Sequence, residues 1–116
     1  MAEGGSAQDG NAARENPIAD IRRDDGRIVV SLAGELDLYN AHEVRDALLQ
    51  CCAESPERLV VDLSGVTFLD SSGLRALLSA RKRLETASGR LSVRNPASCA
   101  ERVLAVSGLA DELLQR

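Results

Sequence analysis

The feature that most constrains the fold is a short apolar run in the middle of the chain, Leu59-Val60-Val61-Asp62-Leu63. A nearly continuous apolar segment of this length is typical of a strand buried on both faces, as in the parallel sheets of α/β proteins. Such a strand lies at the centre of a sheet rather than at its edge. We therefore expect the rest of the chain to be arranged around this segment.

The flanking segments predict the element order ββαβαβα. Strands are predicted at 18–22 and 27–32, on either side of the hairpin-turn dipeptide Asp25-Gly26, and a further strand is predicted at 91–93. Apolar residues at three- and four-residue spacing predict three helices, the third with Pro96 in its first turn. These residues are Ala41, Val44, Leu48 and Cys51, then Leu74, Leu77, Leu78 and Leu84, then Cys99, Val103 and Val106. The order predicts an α/β fold with a mixed β-sheet, in which an N-terminal hairpin feeds parallel strands packed by helices.

The chain of 116 residues fits one domain, which we expect at 18–116. Residues 1–17 are rich in Gly, Ala, Asn and acidic residues without periodicity, which predicts a flexible N-terminal tail. No apolar stretch approaches the roughly 20 residues needed to cross a bilayer, and the first residues do not resemble a secretory signal. The three cysteines lack metal-ligand spacing and are expected to be reduced. These features predict a cytoplasmic protein without a membrane partner.

Composition and motifs argue against several classes of function. The net charge of −4 and the aromatic content of 2% disfavour nucleic-acid binding. The sequence lacks a P-loop, a dinucleotide fingerprint and a nucleophile elbow, and its single histidine, His42, is typical of a solvated helix residue. A phospho-aspartate receiver is excluded because the one lysine, Lys82, falls in the middle of a helix. We expect a binding protein rather than an enzyme, with no catalytic residue, metal or cofactor.

The segment Asp70-Ser71-Ser72-Gly73 marks a junction between a loop and a helix. Asp and Ser are preferred N-cap residues because their oxygens accept the free N–H groups of the first turn. Capping alone would explain the segment. A phosphate on a serine there would also meet those N–H groups and the positive end of the helix dipole, and Gly73 would let a partner approach closely. The residues alone do not decide between Ser71 and Ser72 as the modified position.

Three motifs, in order, resemble those of STAS domains, specifically the anti-sigma factor antagonists. Residues 60–74 resemble the family signature, Gly34-Glu35-Leu36-Asp37 resembles its motif after the second strand, and Val106-Ser107-Gly108-Leu109 resembles the end of its third helix. The resemblance extends from about residue 18 to residue 109, in the order of elements that the family has. It implies a single STAS domain.

The resemblance also implies a function. Members of this family bind an anti-sigma factor that is also a serine kinase, which frees a sigma factor, and phosphorylation of the STAS serine breaks the complex. The serine directly after the aspartate is Ser71, so Ser71 is the implied acceptor, and a serine phosphatase is a further implied partner. Six residues would form the partner-binding surface: Asp37, Asp70, Ser72, Gly73, Leu74 and Arg75.

Two alternatives stay open. The chain could be a STAS scaffold, or an accessory subunit of a stress-signalling or lipid-transport complex, that binds its partners without a serine switch. The loops at the end of the sheet could also bind a nucleotide, although the sequence shows no phosphate cradle. The serine after Asp70 favours the anti-sigma factor antagonist, because the scaffold alternative does not require a residue there that can be phosphorylated.

Overall fold

The computed structural model describes residues 16–108 and Leu113. The four strands form one sheet in the order β1-β2-β3-β4, with β1 antiparallel to β2 and with β2, β3 and β4 parallel. This mixed sheet and the order ββαβαβα confirm the α/β fold that the sequence predicts. The elements are β1 (Ile18–Asp24), β2 (Arg27–Leu36), α1 (Ala41–Ala53), β3 (Arg58–Leu69), α2 (Ser71–Glu85), β4 (Arg90–Arg94) and α3 (Ser98–Ser107).

The turn between β1 and β2 consists of Asp25 and Gly26, whose φ angles are 35° and 76°. Two consecutive residues with positive φ are the mark of a type I′ turn, whose twist matches that of the strands it joins. Asp24 pairs with Arg27 across the turn, so the loop is two residues long. The hairpin predicted from the Asp-Gly dipeptide is confirmed.

The core lies between one face of the sheet and the helices α1 and α2, which pack on each other. All five residues of the run 59–63 are buried, as expected for a central strand. Strand side chains alternate between the two faces, so Leu59, Val61 and Leu63 enter the core while Val60 and Asp62 lie on the other face. The helices supply Val44, Leu48, Cys51, Cys52, Leu74, Leu77 and Leu84.

Helix α3 differs from its prediction in its start and in its buried face. It begins at Ser98, after the extended residue Ala97, so Pro96 precedes the helix instead of lying in its first turn. Ala100 and Leu104 are buried, four residues apart on one face, whereas Val106 is 83% exposed. Cys99 and Val103 are partly buried and pack against the core, as predicted, but the prediction was wrong for Val106, because the buried face is centred on Ala100 and Leu104.

Asp62 is a buried carboxylate that ties β3 to the end of β4. Its Oδ1 accepts a hydrogen bond from the backbone N–H of Ser64 (2.9 Å), and its Oδ2 accepts bonds from Arg94 Nε (3.1 Å) and Asn95 Nδ2 (3.2 Å). Burial by itself would raise the pKa of Asp62, but the hydrogen bonds from Ser64, Arg94 and Asn95 outweigh it and hold the pKa below the ordinary value.

The first turn of α2 packs closely against the ends of β2 and β3. The backbone N–H of Asp70 donates to the carbonyl oxygen of Leu36 (3.2 Å). A Cβ at Gly73 would lie 2.6 Å from Leu69 Cδ1 and 3.1 Å from both Cβ and the carbonyl oxygen of Leu36. Any side chain at this position would push α2 away from the edge of the sheet. Gly73 thus fixes where α2 begins.

We expect Asp62→Asn to lower the free energy of unfolding at pH 7 by about 1–3 kcal/mol, because it weakens a buried, charge-assisted network. The lowered pKa means that the contribution of Asp62 is complete above the unfolded-state pKa of about 3.9 and is lost as the pH falls through the folded-state value. The difference in the free energy of unfolding between the unaltered chain and Asp62→Asn should therefore become smaller as the pH is lowered. Denaturant titrations from neutral pH to about pH 3 measure it, with the exposed Asp20→Asn as the control. A difference that does not change with pH would contradict this account.

We expect Gly73→Ala to lower the melting temperature, since the crowding against Leu36 and Leu69 costs about 1–3 kcal/mol and exceeds the roughly 1 kcal/mol that alanine gains over glycine in a helix. Ser72→Ala in the same turn is the control, because its backbone N–H keeps the bond to Asp70 and no side-chain packing is removed from the core. Circular dichroism melts compare the variants. An unchanged or raised melting temperature for Gly73→Ala would show that the contact with β2 is not tight.

Candidate functional site

Asp70 is the N-cap of α2. Its backbone is extended (φ −109°, ψ −173°), and its Oδ1 accepts hydrogen bonds from the backbone N–H groups of Ser72 (2.8 Å) and Gly73 (3.1 Å). The carbonyl oxygen of Asp70 accepts the first helical bond, from Leu74 (3.0 Å). The capping role predicted from the sequence is confirmed. It leaves Ser71 as the first residue of the helix, at the positive end of the dipole.

The two serines after Asp70 differ in their surroundings. Ser71 is exposed, while Ser72 is half-buried and lines a groove between α1 and α2. An enzyme that modifies a serine must reach its hydroxyl, and Ser71 is the more accessible of the two. The structure thus distinguishes between two serines that the residues alone left equivalent.

The loop between β2 and α1 is held by Asn40, which sequence reasoning missed. Asn40 is 6% exposed; its Oδ1 accepts from the backbone N–H of Asp37 (3.0 Å), and its Nδ2 donates to the carbonyl oxygen of Glu35 (2.7 Å). The carboxylate of Asp37 accepts from the backbone N–H of Tyr39 (3.0 Å). An asparagine immediately before a helical pattern could have marked this residue in the sequence, as a candidate N-cap. Its side chain binds the backbone of the loop, however, and makes no capping hydrogen bond to α1.

Asp37 and Asp70 are neighbours at one edge of the sheet. Leu36 and Leu69 pair as the last residues of β2 and β3, and each aspartate is the next residue after its strand. Adjacent strands lie about 4.8 Å apart, so the two aspartate backbones leave the sheet side by side. The predicted proximity of Asp37 to the start of α2 therefore follows from the strand register, and it gives the surroundings of Ser71 a negative charge.

Exposed apolar side chains surround this edge. Among the described residues, four large hydrophobic side chains are exposed, and three of them are close in sequence to Asp37 or Asp70. Leu38 and Tyr39 follow Asp37 and are 75% and 77% exposed, and Phe68 is 46% exposed two residues before Asp70. Large exposed apolar side chains near one end of a sheet are typical of a protein-binding surface. We call the group formed by Asp37, Leu38, Tyr39, Phe68, Asp70 and Ser71 the Ser71 surface.

Two of the residues predicted to bind a partner do not present side chains to this surface. Gly73 is buried against Leu36 and Leu69, and Leu74 is 8% exposed within the core. The idea that Gly73 leaves room for a partner is corrected, because the room it leaves is filled by β2. Arg75 is exposed and lines the groove beside Ser72.

The described residues offer few other sites for chemistry. No group of three or more His, Cys, Asp or Glu side chains in residues 16–108 could hold a metal ion. Cys51 and Cys52 are free and buried, and burial raises the pKa of both thiols, which makes them poor nucleophiles. No helix in the described part of the chain is long and apolar enough to cross a membrane.

Known proteins share this fold. The family model described as "Mlab, STAS domain" matches residues 19–115. The anti-sigma-B factor antagonist of Bacillus subtilis is 30% identical over 96 residues, which cover 83% of this chain and 87% of that protein. The crystal structure of an anti-sigma factor antagonist from Mycobacterium paratuberculosis is 33% identical, with a TM-score of 0.72, and the match covers 80% of this chain and 79% of that one.

The Bacillus protein SpoIIAA, an anti-sigma factor antagonist, has been solved in two forms. This chain matches the unphosphorylated form with a TM-score of 0.73 over 84% of this chain and 86% of that one, and the phosphorylated form with a TM-score of 0.67 over 84% and 89%, both at 23% identity. At that identity the likeness concerns the fold alone. Together with the family model and the relative in B. subtilis, it shows that this chain belongs to the STAS domain family.

Proposed function

We propose that this chain is an anti-sigma factor antagonist whose binding to an anti-sigma factor is switched off by phosphorylation of Ser71. The observation that carries the proposal is the exposed Ser71, which directly follows the N-cap Asp70 and lies beside exposed apolar side chains. An exposed nucleophile next to an apolar docking patch suits a protein that is bound and modified by the same partner. The relatives named as anti-sigma factor antagonists support the assignment.

The proposed partner is an anti-sigma factor that is also a serine kinase, acting in the bacterial cytoplasm. It would transfer the γ-phosphoryl group of ATP to Ser71 Oγ, with ADP as the leaving group and the hydroxyl proton released. A serine phosphatase would hydrolyse the phosphoester and restore the binding form. The kinase needs access to the Ser71 hydroxyl and the phosphatase to the phosphoester on the same oxygen, and the exposure of Ser71 provides both.

The switch would act on the interface and not on the fold. A phosphoserine carries a charge of about −1.5 to −2 at pH 7. At the start of α2, the helix dipole favours that charge by about 0.3–1 kcal/mol, and the nearby carboxylates of Asp37 and Asp70 oppose it. The two effects largely cancel in the folded chain, so phosphorylation should leave its stability nearly unchanged.

Within a protein interface, the same charge is costly. Burying an ion without a partner costs several kcal/mol, and conversion of a nearly complete complex into a nearly absent one needs about 5.5 kcal/mol. The carboxylate of Asp70, directly before Ser71, is a further negative charge at the same place. The free-energy cost of burying a phosphate on the Ser71 surface is therefore large enough to dissociate the complex. The free-energy effect of a change in helix capping is too small to do so.

A STAS scaffold without a serine switch is the competing proposal, and the family model that matches this chain is described by the name Mlab rather than by an anti-sigma factor antagonist. A scaffold could use the same apolar side chains, Leu38, Tyr39 and Phe68, to bind its partner. It would not need a modifiable residue at position 71. Whether a kinase phosphorylates Ser71 therefore distinguishes between the two proposals.

We expect Ser71→Ala to abolish phosphorylation by the candidate kinase, because it removes the acceptor oxygen. Ser72→Ala is the matched control in the same turn and should be modified as fully as the unaltered chain. Incubation of each protein with ATP and a candidate serine-kinase anti-sigma factor from the same organism, followed by mass spectrometry, measures the modification. Undiminished phosphate on Ser71→Ala, or its loss from Ser72→Ala alone, would contradict the assignment.

A further inference from the structure

A continuous groove runs from the Ser71 surface along the exposed side of α1 and α2. It consists of two adjoining cavities of about 320 and 500 Å³, and Arg45 and Ser79 line both of them. The cavity nearer Ser71 is also lined by Leu38, His42, Ser72 and Arg75, and the farther one by Asp46, Leu49, Lys82 and Arg83. We call this feature the α1–α2 groove.

The groove is cationic, although the chain as a whole carries a net charge of −4. Four of its lining residues, Arg45, Arg75, Lys82 and Arg83, are cations, and Asp46 is its one carboxylate. Arg45 and Asp46 approach to 3.6 Å, with both side chains more than half exposed, so solvent screens the pair. The other three cations form no ion pair within residues 16–108. With four cations and one carboxylate, the groove thus presents an excess of positive charge.

Apolar residues accompany the charge. Leu38, 75% exposed, stands at the end nearest Ser71, and the partly buried Leu49 lies in the farther cavity. A phosphate backbone would gain nothing from these leucines, the lining has no Phe, Tyr or Trp side chain for stacking, and the overall negative charge would repel a nucleic acid. Protein segments that combine carboxylates with apolar side chains fit such a lining.

We propose that the α1–α2 groove binds an acidic segment of the anti-sigma factor, whose carboxylates pair with Arg45, Lys82 and Arg83 while its apolar side chains contact Leu38 and Leu49. The inference rests on the proposed function, because it identifies a second contact region for the same partner. Its support is the continuity of the groove with the Ser71 surface and the complementarity of charge. The segment would lie along α2 from Ser72 to Thr86, about 20 Å at the helical rise of 1.5 Å per residue.

The groove would set the choice of partner independently of phosphorylation. Lys82 follows Ser71 by 11 positions in α2, which is about 16 Å along the helix axis and beyond the Debye length at physiological salt. A phosphate on Ser71 therefore acts on the near end of the interface, and the cations at the far end are little affected by it. Anti-sigma factors that lack the acidic segment would bind the Ser71 surface alone, and more weakly.

The test is a charge reversal at the far end of the groove. We expect the double variant Lys82→Glu/Arg83→Glu to bind the anti-sigma factor that phosphorylates Ser71 about tenfold or more weakly by isothermal titration calorimetry, with a smaller loss of affinity on adding salt. Both side chains are exposed but lie in the last turn of α2, where acidic residues oppose the helix dipole, so the melting temperature should fall modestly. The milder Lys82→Gln/Arg83→Gln variant, which should weaken binding less, repeats the test if the glutamate variant melts early.

The matched control is Arg58→Glu/Arg90→Glu, the same change of charge on the opposite face of the sheet. Arg58 and Arg90 pair in register on β3 and β4, and both are exposed and outside the α1–α2 groove. This variant should keep the affinity of the unaltered chain. An equal loss of affinity in the control would show a general effect of net charge and would overturn the proposal.

The remaining outcomes separate the groove from the proposed function. Unchanged affinity of Lys82→Glu/Arg83→Glu, with a large loss for Ser71→Glu, would overturn the groove and leave the proposed function standing. If the unaltered chain binds no anti-sigma factor, the proposed function fails and the groove proposal falls with it. If the groove variant loses binding to duplex DNA while its affinity for the anti-sigma factor is unchanged, the groove is a nucleic-acid site and the proposal is wrong.

Discussion

The close seating of α2 on the ends of β2 and β3 is the constraint on which the rest of the site depends. The hydrogen bond from Asp70 to the Leu36 carbonyl and the missing side chain at Gly73 let the helix begin at the edge of the sheet. As a result, the loop with Asp37 and the start of α2 with Ser71 leave the sheet side by side. The position of the Ser71 surface is thus determined by the strand register and by Gly73, more than by the side chains of the surface itself.

This geometry explains how a small chemical change could control a large interface. The cap at Asp70 already satisfies two N–H groups of α2, so the helix does not depend on a phosphate for its stability. A phosphate on Ser71 adds charge where Asp37 and Asp70 have already made the surface negative. The folded chain remains in contact with water there and tolerates the charge, while a partner that excludes water does not.

Much of the fold could be predicted because it depends on local patterns. The burial of residues 59–63 follows from composition, and the hairpin from Asp25-Gly26. Features that depend on tertiary neighbours could not be predicted in this way. The buried face of α3 follows Ala100 instead of Val106, and Leu113, beyond any predicted element, is completely buried. Local propensity contains no information about which strand a helix meets.

The candidate site shows the same division. Its motif residues and the inward-facing Leu74 could be identified from sequence, but the close packing of Gly73 against Leu36 and the exposure of Tyr39 depended on the fold. The measurement that tests the central claim most directly compares the chain phosphorylated on Ser71 with the unphosphorylated chain, by calorimetric titration of the anti-sigma factor and by thermal melting. The account predicts binding weaker by about a hundredfold or more, with melting temperatures within a few degrees of each other. Full-strength binding by the phosphorylated chain, or its unfolding, would contradict it.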